Sequence, residues 1–264
     1  MALRFDEMIQ AIESVAPAYL QEGWDNSGIQ IAVNDNVISR VLTALELTED
    51  VIQEAIDEDV DMIITHHPLI FGGIKTVDFR DITGSYILKL IEAGISVYSS
   101  HTPFDKIEGG NNDYLAELIG LRDISGFTDG ENVEMIGRVG MLPYPVTLED
   151  MVEILAEKLE LEAEQIRFVG YPQQMISTVG MCTGAGADLM DLAAANGCQL
   201  FITGDLKYHD AQKAKAMGIA VIDAGHYGTE KSFADNFAVK LREKVAGSVE
   251  IIESKVDIDP FGVI

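Results

Sequence analysis

Apolar residues recur at helical spacing in several stretches of the chain. Phe5, Met8, Ile9, Ile12 and Val15 fall on one face of an N-terminal helix. Thr48 is placed to cap a helix whose inner face is Val51, Ile52, Ala55 and Ile56. Thr147 starts another, with Met151, Ile154, Leu155 and Leu159 inside. Near the C-terminus Phe233, Phe237 and Leu241 line one side of an amphipathic helix, a pattern that reads as core packing. Short β-rich runs lie between these stretches: Val37 to Leu45, Met62 to Thr65, Ile95 to Tyr98, Val133 to Met141, Ser177 to Cys182, Leu200 to Thr203 and Ile219 to Ile222. Strands alternating with helices predict an α/β protein.

The pattern also repeats itself. "MIITHHPLIF…LIEAGISVYSSHTPFDK" and "LFITGDLKYHDAQKAKAMGIAVIDAGHYGTEK" each read as strand, Ile-Thr, polar loop, helix, Gly-Ile-x-Val strand and a polar loop with histidine. This predicts a structural duplication. The stretch from Ile124 to Thr147 breaks the helical pattern and is the candidate boundary between halves. The expected division is residues 1–124 with 230–264 in one α/β domain and residues 125–229 in the other.

Composition narrows the picture. The chain has 264 residues, long enough for a well-buried core. No apolar run approaches the roughly 20 residues that span a bilayer. The start, "MALRFDEMIQAIESV", lacks the basic and continuously apolar segments of a signal peptide, so a cytoplasmic location without membrane association is expected. The two cysteines, Cys182 and Cys198, belong to no metal-binding or redox spacing and read as buried thiols. The net charge of −26 repels a phosphate backbone and argues against direct nucleic-acid binding. It leaves room for a nucleotide whose phosphates are neutralised locally by metal cations.

All five histidines lie in the two repeated units, each just after a predicted strand or in the loop that follows. The first unit carries His66, His67, His101 and Asp105; the second carries His209, His226 and Glu230. In parallel α/β folds, loops from several strands converge at the strands' carboxyl ends, where ligands gather. Imidazoles and carboxylates without a thiolate describe a site for Zn, Mn, Fe, Ni or Co, and Mg fits less well. Adjacent residues of a strand point in opposite directions. His66 and His67 therefore serve two ions on either side of the segment, or turn together in a loop. His226 and Glu230 are four apart and share a face if Gly225 or Gly228 opens a helix. A carboxylate such as Glu230 can bridge two ions, and Asp105, four residues after His101, supplies a terminal ligand. His101 and His209 are candidates for substrate contact or for shuttling protons, and with Glu230 form the expected catalytic set.

Taken together, "EGWDNSGIQI", "THHPLIF", "SSHTPFDKIEGGNND", "TGDLKYHDA" and "GHYGTEK" resemble the signatures of the Nif-three-like dinuclear-metal family, from Phe5 to the final "DPFGVI". Some members are described as type-two GTP cyclohydrolase I. The resemblance implies two intertwined, duplicated α/β domains and two divalent ions per chain. It implies His66, His67, Asp105, His226 and Glu230 as metal ligands, with Glu230 bridging. It also implies a homo-oligomer, a toroidal hexamer built from dimers, and raises the expectation that the Trp24 segment lines the site. Larger relatives insert a further domain that this chain is too short to hold.

Other motifs carry weaker signals. "MCTGAGADLM" reads as a tight strand–helix turn, or as a contact for an anion. "EGGNNDYLAELIG" reads as a helix capped by Asn111 or Asn112 that holds the loop bearing Asp105. The leading expectation is a dinuclear metal-dependent hydrolase that opens the imidazole ring of GTP with loss of formate. A metal-dependent phosphoesterase would use the same parts. The rival class is a non-catalytic metal-binding or regulatory assembly.

Overall fold

The computed structural model describes residues 2–35 and 37–262; the last two residues of the motif match, Val263 and Ile264, lie outside them. The chain begins with β1 (Leu3–Arg4), α1 (Phe5–Val15), β2 (Gly28–Ile31), β3 (Val37–Ile38), β4 (Arg40–Ala44), α2 (Glu49–Asp57), β5 (Met62–Thr65), α3 (Ile82–Ala93), β6 (Ser96–Ser99) and α4 (Thr102–Lys106). It continues through α5 (Asn111–Leu118), β7 (Arg122–Asp129), β8 (Asn132–Thr147), α6 (Leu148–Leu159), β9 (Arg167–Val169), β10 (Met175–Met181), α7 (Met190–Ala195), β11 (Leu200–Thr203), α8 (Tyr208–Met217), β12 (Ala220–Asp223) and α9 (His226–Glu230). It closes with α10 (Phe233–Val245) and β13 (Glu250–Glu253).

These elements form two compact units. The first holds Met1–Phe104 and Ser232–Pro260; the second holds Asp105–Lys231 and Phe261–Ile264. The sequence placed the first crossing near residue 124. The chain crosses earlier because Leu115, Ala116, Ile119 and Leu121 are buried in the core of the second unit. The Ile124 to Thr147 stretch lies inside that unit, where it forms most of the antiparallel hairpin β7–β8.

In the first unit the sheet order is β13-β4-β5-β6-β2. β13, β4, β5 and β6 are parallel, and β2 runs antiparallel along the β6 edge. Pairing of Ala44 with Thr65, and of Thr65 with Ser99, brings the carboxyl ends of three strands level. One face packs under α2 and α3, through Leu42, Ile63, Val51, Ile52, Ala55 and Leu90. Thr48 caps α2 as expected, accepting from Val51 N at 3.2 Å. Ile56, expected inside, is exposed. On the other face Thr43 Oγ1 donates to the Ala234 carbonyl of α10 at 2.9 Å. There Phe104, Phe233 and Phe237 are fully buried, with ring centroids 5.1–5.2 Å apart.

The second unit has the order β7-β8-β10-β11-β12-β9. Its β10, β11 and β12 are parallel, and β9 runs antiparallel along the β12 edge. Leu200, Ile202, Ala220 and Ile222 face one core while Phe201 and Val221 face another, so both faces are covered. In both units three consecutive parallel strands, β4-β5-β6 and β10-β11-β12, carry an earlier strand, β2 or β9, antiparallel along the edge of the last. This is the duplication that the sequence echo predicts. α6 starts at Thr147, whose Oγ1 accepts from Asp150 N at 3.1 Å, and it buries Met151, Leu155 and Leu159. The short edge strands β2, β9 and β13 escaped the sequence reading because three or four half-exposed residues carry little pattern.

Candidate metal centre

The chain leaves the fully buried β5 directly into His66 and His67. Both of their N–H groups donate to the single carbonyl of Leu45, at 3.1 and 3.0 Å. Strand geometry has therefore ended, and the alternation that would throw the rings to opposite sides no longer applies. Of the two arrangements open to the sequence, the histidines take the turn, with ring centroids 5.1 Å apart. His101 follows β6, on the neighbouring level strand end. Its ring lies 5.0 Å from that of His66 and 5.7 Å from that of His67. Ligand nitrogens of all three fall within 4.8 Å of one another.

Each ring is oriented from behind. His66 Nδ1 bonds to the Ser100 carbonyl at 3.0 Å, which puts the proton on Nδ1 and the lone pair on Nε2. His67 Nδ1 lies 3.7 Å from Glu46 Oε2. His101 Nδ1 lies 2.8 Å from Asp25 Oδ1, and the Asp25 side chain is wholly buried. Asp25 also accepts from Thr102 Oγ1 at 2.6 Å, Ser27 Oγ at 2.7 Å, Asn26 N at 2.7 Å and Thr102 N at 3.2 Å. Burial alone would raise the Asp25 pKa. The bonds from His101 and Thr102, the charge of His101 and the Ser27 hydroxyl outweigh it and hold the carboxyl well below the usual carboxylate range. A carboxylate behind an imidazole is the usual support of a metal-ligating histidine. No spacing in the sequence singles out Asp25. Its role comes from burial, and the polar density of "WDNSG" was the only signal.

In the second unit Gly225, at φ 80°, opens α9, so His226 and Glu230 share a face with Nε2 and Oε2 3.0 Å apart. His226 Nδ1 lies 2.8 Å from Asp205 Oδ2. Glu230 is 3% exposed and Asp105 7%, and their carboxylate oxygens lie within 4.8 Å of each other. Gly184 permits this: at φ +66° it sits against Glu230, where a Cβ would collide with the carboxylate and come 3.2 Å from His226 Nε2. Its N–H donates to Thr229 Oγ1 at 2.9 Å. The Gly-rich turn thus seats the carboxylate.

Asp105 is anchored by the asparagines after it. Asn111 Nδ2 donates to Asp105 Oδ1 at 3.0 Å. Asn112 Nδ2 donates to the Asp105 carbonyl at 3.3 Å and to the Ile136 carbonyl at 2.7 Å. The helix cap itself is Gly110, so the asparagines hold the Asp105 loop rather than cap α5. Beneath them Arg138, 1% exposed, pairs with Asp113 and donates to the carbonyls of Lys106 at 2.9 Å and Ile107 at 3.1 Å.

His209 stands exposed on the first turn of α8 with its ring 5.3 Å from Tyr208, and no donor cluster among the described residues includes it. Cys182 and Cys198 are buried free thiols. Burial, then the charges of Asp105 and Glu230, push Cys182 up; burial pushes Cys198 up to about 12. Neither behaves as a thiolate ligand. The first unit thus carries a group of three imidazoles able to hold a metal ion, and the second offers His226 and the carboxylates Asp105 and Glu230 as candidate donors. That chemistry fits a borderline divalent cation.

A family model described as Duf34/NIF3 (NGG1p interacting factor 3) matches residues 3–260. The chain belongs to the Duf34/NIF3 family. Among its NIF3-family relatives is the Clostridium perfringens protein named GTP cyclohydrolase 1 type 2 homolog, 33% identical over 261 residues, covering 98% of this chain and 99% of that one. The Helicobacter pylori protein named GTP cyclohydrolase 1 type 2 is 35% identical over 228 residues, covering 86% and 87%. A solved Staphylococcus aureus hypothetical protein superposes with a TM-score of 0.92 at 27% identity over the whole of both chains. The NIF3 fold expected from the motifs is the fold observed. Among the described residues, no helix is long and apolar enough to cross a membrane.

Proposed function

We propose that this chain is a dinuclear metal-dependent hydrolase that opens the imidazole ring of GTP and releases formate, in keeping with the names its relatives bear. In this reading His66, His67, Asp105, His226 and Glu230 would hold two divalent ions. Asp25 and its bond to His101 support adding His101 to the donors. The observation that carries the reading is the pair of buried carboxylates, Asp105 and Glu230, with oxygens within 4.8 Å. Two anions so placed away from water repel strongly, and a cation resolves the conflict. When bound, such ions supply Lewis acidity and an activated water. The residues of the chain do the rest. Asp25 keeps the His101 proton on Nδ1, Ser100 does the same for His66, and Asn111 fixes the direction of the Asp105 carboxylate.

Metal analysis of purified protein is expected to find about 2 ions per chain. Glu230→Gln and His67→Ala should lose metal and turnover while remaining folded; full metal content in both variants would sink the assignment. Metal-loaded protein given GTP should consume water, release formate and leave a product that has lost the imidazole-ring carbon. Phosphate release would favour the phosphoesterase, and no reaction a non-catalytic assembly. The expected toroidal hexamer belongs to the same proposal. Exposed Val77, Phe79 and Ile82 before and at the start of α3 support burial in an assembly, and a sedimentation mass of one chain would count against it.

A further inference from the structure

The imidazole cluster has an aromatic border that the ligand set does not use. Trp24 is 57% exposed and Phe71 55% exposed. Their ring centroids lie 6.1 Å apart, and each borders His101, at 5.9 and 6.2 Å. Two large apolar rings thus face solvent directly beside a donor histidine. They are not loosely placed. Asn26 Nδ2 donates to the Ile70 carbonyl at 2.5 Å, Ile70 N donates to Gln30 Oε1 at 3.1 Å, and Gln30 Nε2 donates to the Asn26 carbonyl at 2.7 Å. The two segments that carry the rings are stapled to each other through the residues next to them. Asp25, adjacent to Trp24, is buried and held by His101 and Thr102, which fixes the Trp24 backbone from the other side. A Cβ on Gly72 or Gly73, which follow Phe71, would meet no described atom within 4 Å.

We propose that Trp24 and Phe71, with His101 between them, form a stacking platform for a flat heteroaromatic ring of the purine class. Ring centroids 6.1 Å apart leave no room for a third ring between them, and the ring planes are 47° apart, so a flat ligand stacks on the Trp24 face and meets Phe71 at a tilt. A net charge of −26 gives a polyanionic nucleotide no long-range attraction, so ring contact is the source of affinity that the surface charge does not oppose. The choice of a purine rests on the hydrolase reading; the platform itself rests on the two exposed rings.

Trp24 is the only tryptophan, so the emission of the intact, metal-loaded protein reports on this place alone. Guanosine, which has no phosphate, is expected to change that emission saturably and to shield Trp24 from acrylamide. Ribose 5-phosphate is expected to do neither. Phe71→Ala should weaken guanosine binding by about tenfold, and Phe71→Tyr should hold it within about twofold, in line with the worth of one base–aromatic contact. Emission that guanosine leaves unmoved, or guanosine binding equal in wild type and Phe71→Ala, would overturn the platform. So would Trp24 already shielded from acrylamide in the free protein, since a protein surface would then cover it. Guanosine binding without GTP turnover would leave the platform standing and remove the hydrolase; turnover with unmoved emission would do the reverse.

Discussion

Asp25 shows how much a single side chain can organise. One buried carboxylate accepts from two hydroxyls, two backbone amides and one imidazole. Its folded pKa is depressed, so the stability it contributes is fully present above the unfolded value near 4 and is lost as pH falls through the folded pKa. Asp25→Asn keeps the shape and removes the charge. The variant should be less stable than wild type by about 2 kcal/mol at pH 7, and the gap should close as pH is lowered below about 4. Chemical denaturation of both proteins across that range checks the sign; a constant gap would refute it. This residue also marks what the sequence hides. His66 and His67 announce themselves as two of five histidines side by side after an apolar strand. Asp25 lies 76 positions from its partner His101, and no spacing rule links them.

At the scale of elements, the carboxyl ends of the parallel strands in two mixed sheets position the donors, and small struts fix the loops that leave them. The central strands were legible because burial on both faces demands unbroken apolar runs: "MIIT" and "LFIT" match β5 and β11 residue for residue. The hairpin β7–β8 carries little legible pattern because its outer strand, "RDISGFTD", is half polar and has register shifts. Arg138 lies within that hairpin and ties β8 to the Asp105 loop. Arg138→Met leaves Asp113 buried without its cation and should cost about 3–5 kcal/mol. Replacing Asp113 by Leu as well should recover part of that loss. Urea midpoints of the single and double variants give the comparison, and an unchanged midpoint for Arg138→Met would deny the strut.

At the scale of the whole molecule, the first unit is discontinuous: α10 and β13 come from the far end of the chain, and β13 pairs in register with β4. A chain ending at Val245 would lack that edge strand. Hydrogen exchange on such a truncation should show protection lost over β4, β5 and β6 and retained over β10, β11 and β12. Equal loss in both sheets would mean that the units do not melt separately. The same discontinuity bears on synthesis. The Asp105–Lys231 body of the second unit is synthesised while the first still waits for Ser232–Pro260. For most of translation the apolar underside of β4 therefore stands open to chaperones, and the half of the protein begun first is completed only after the body of the other has been made.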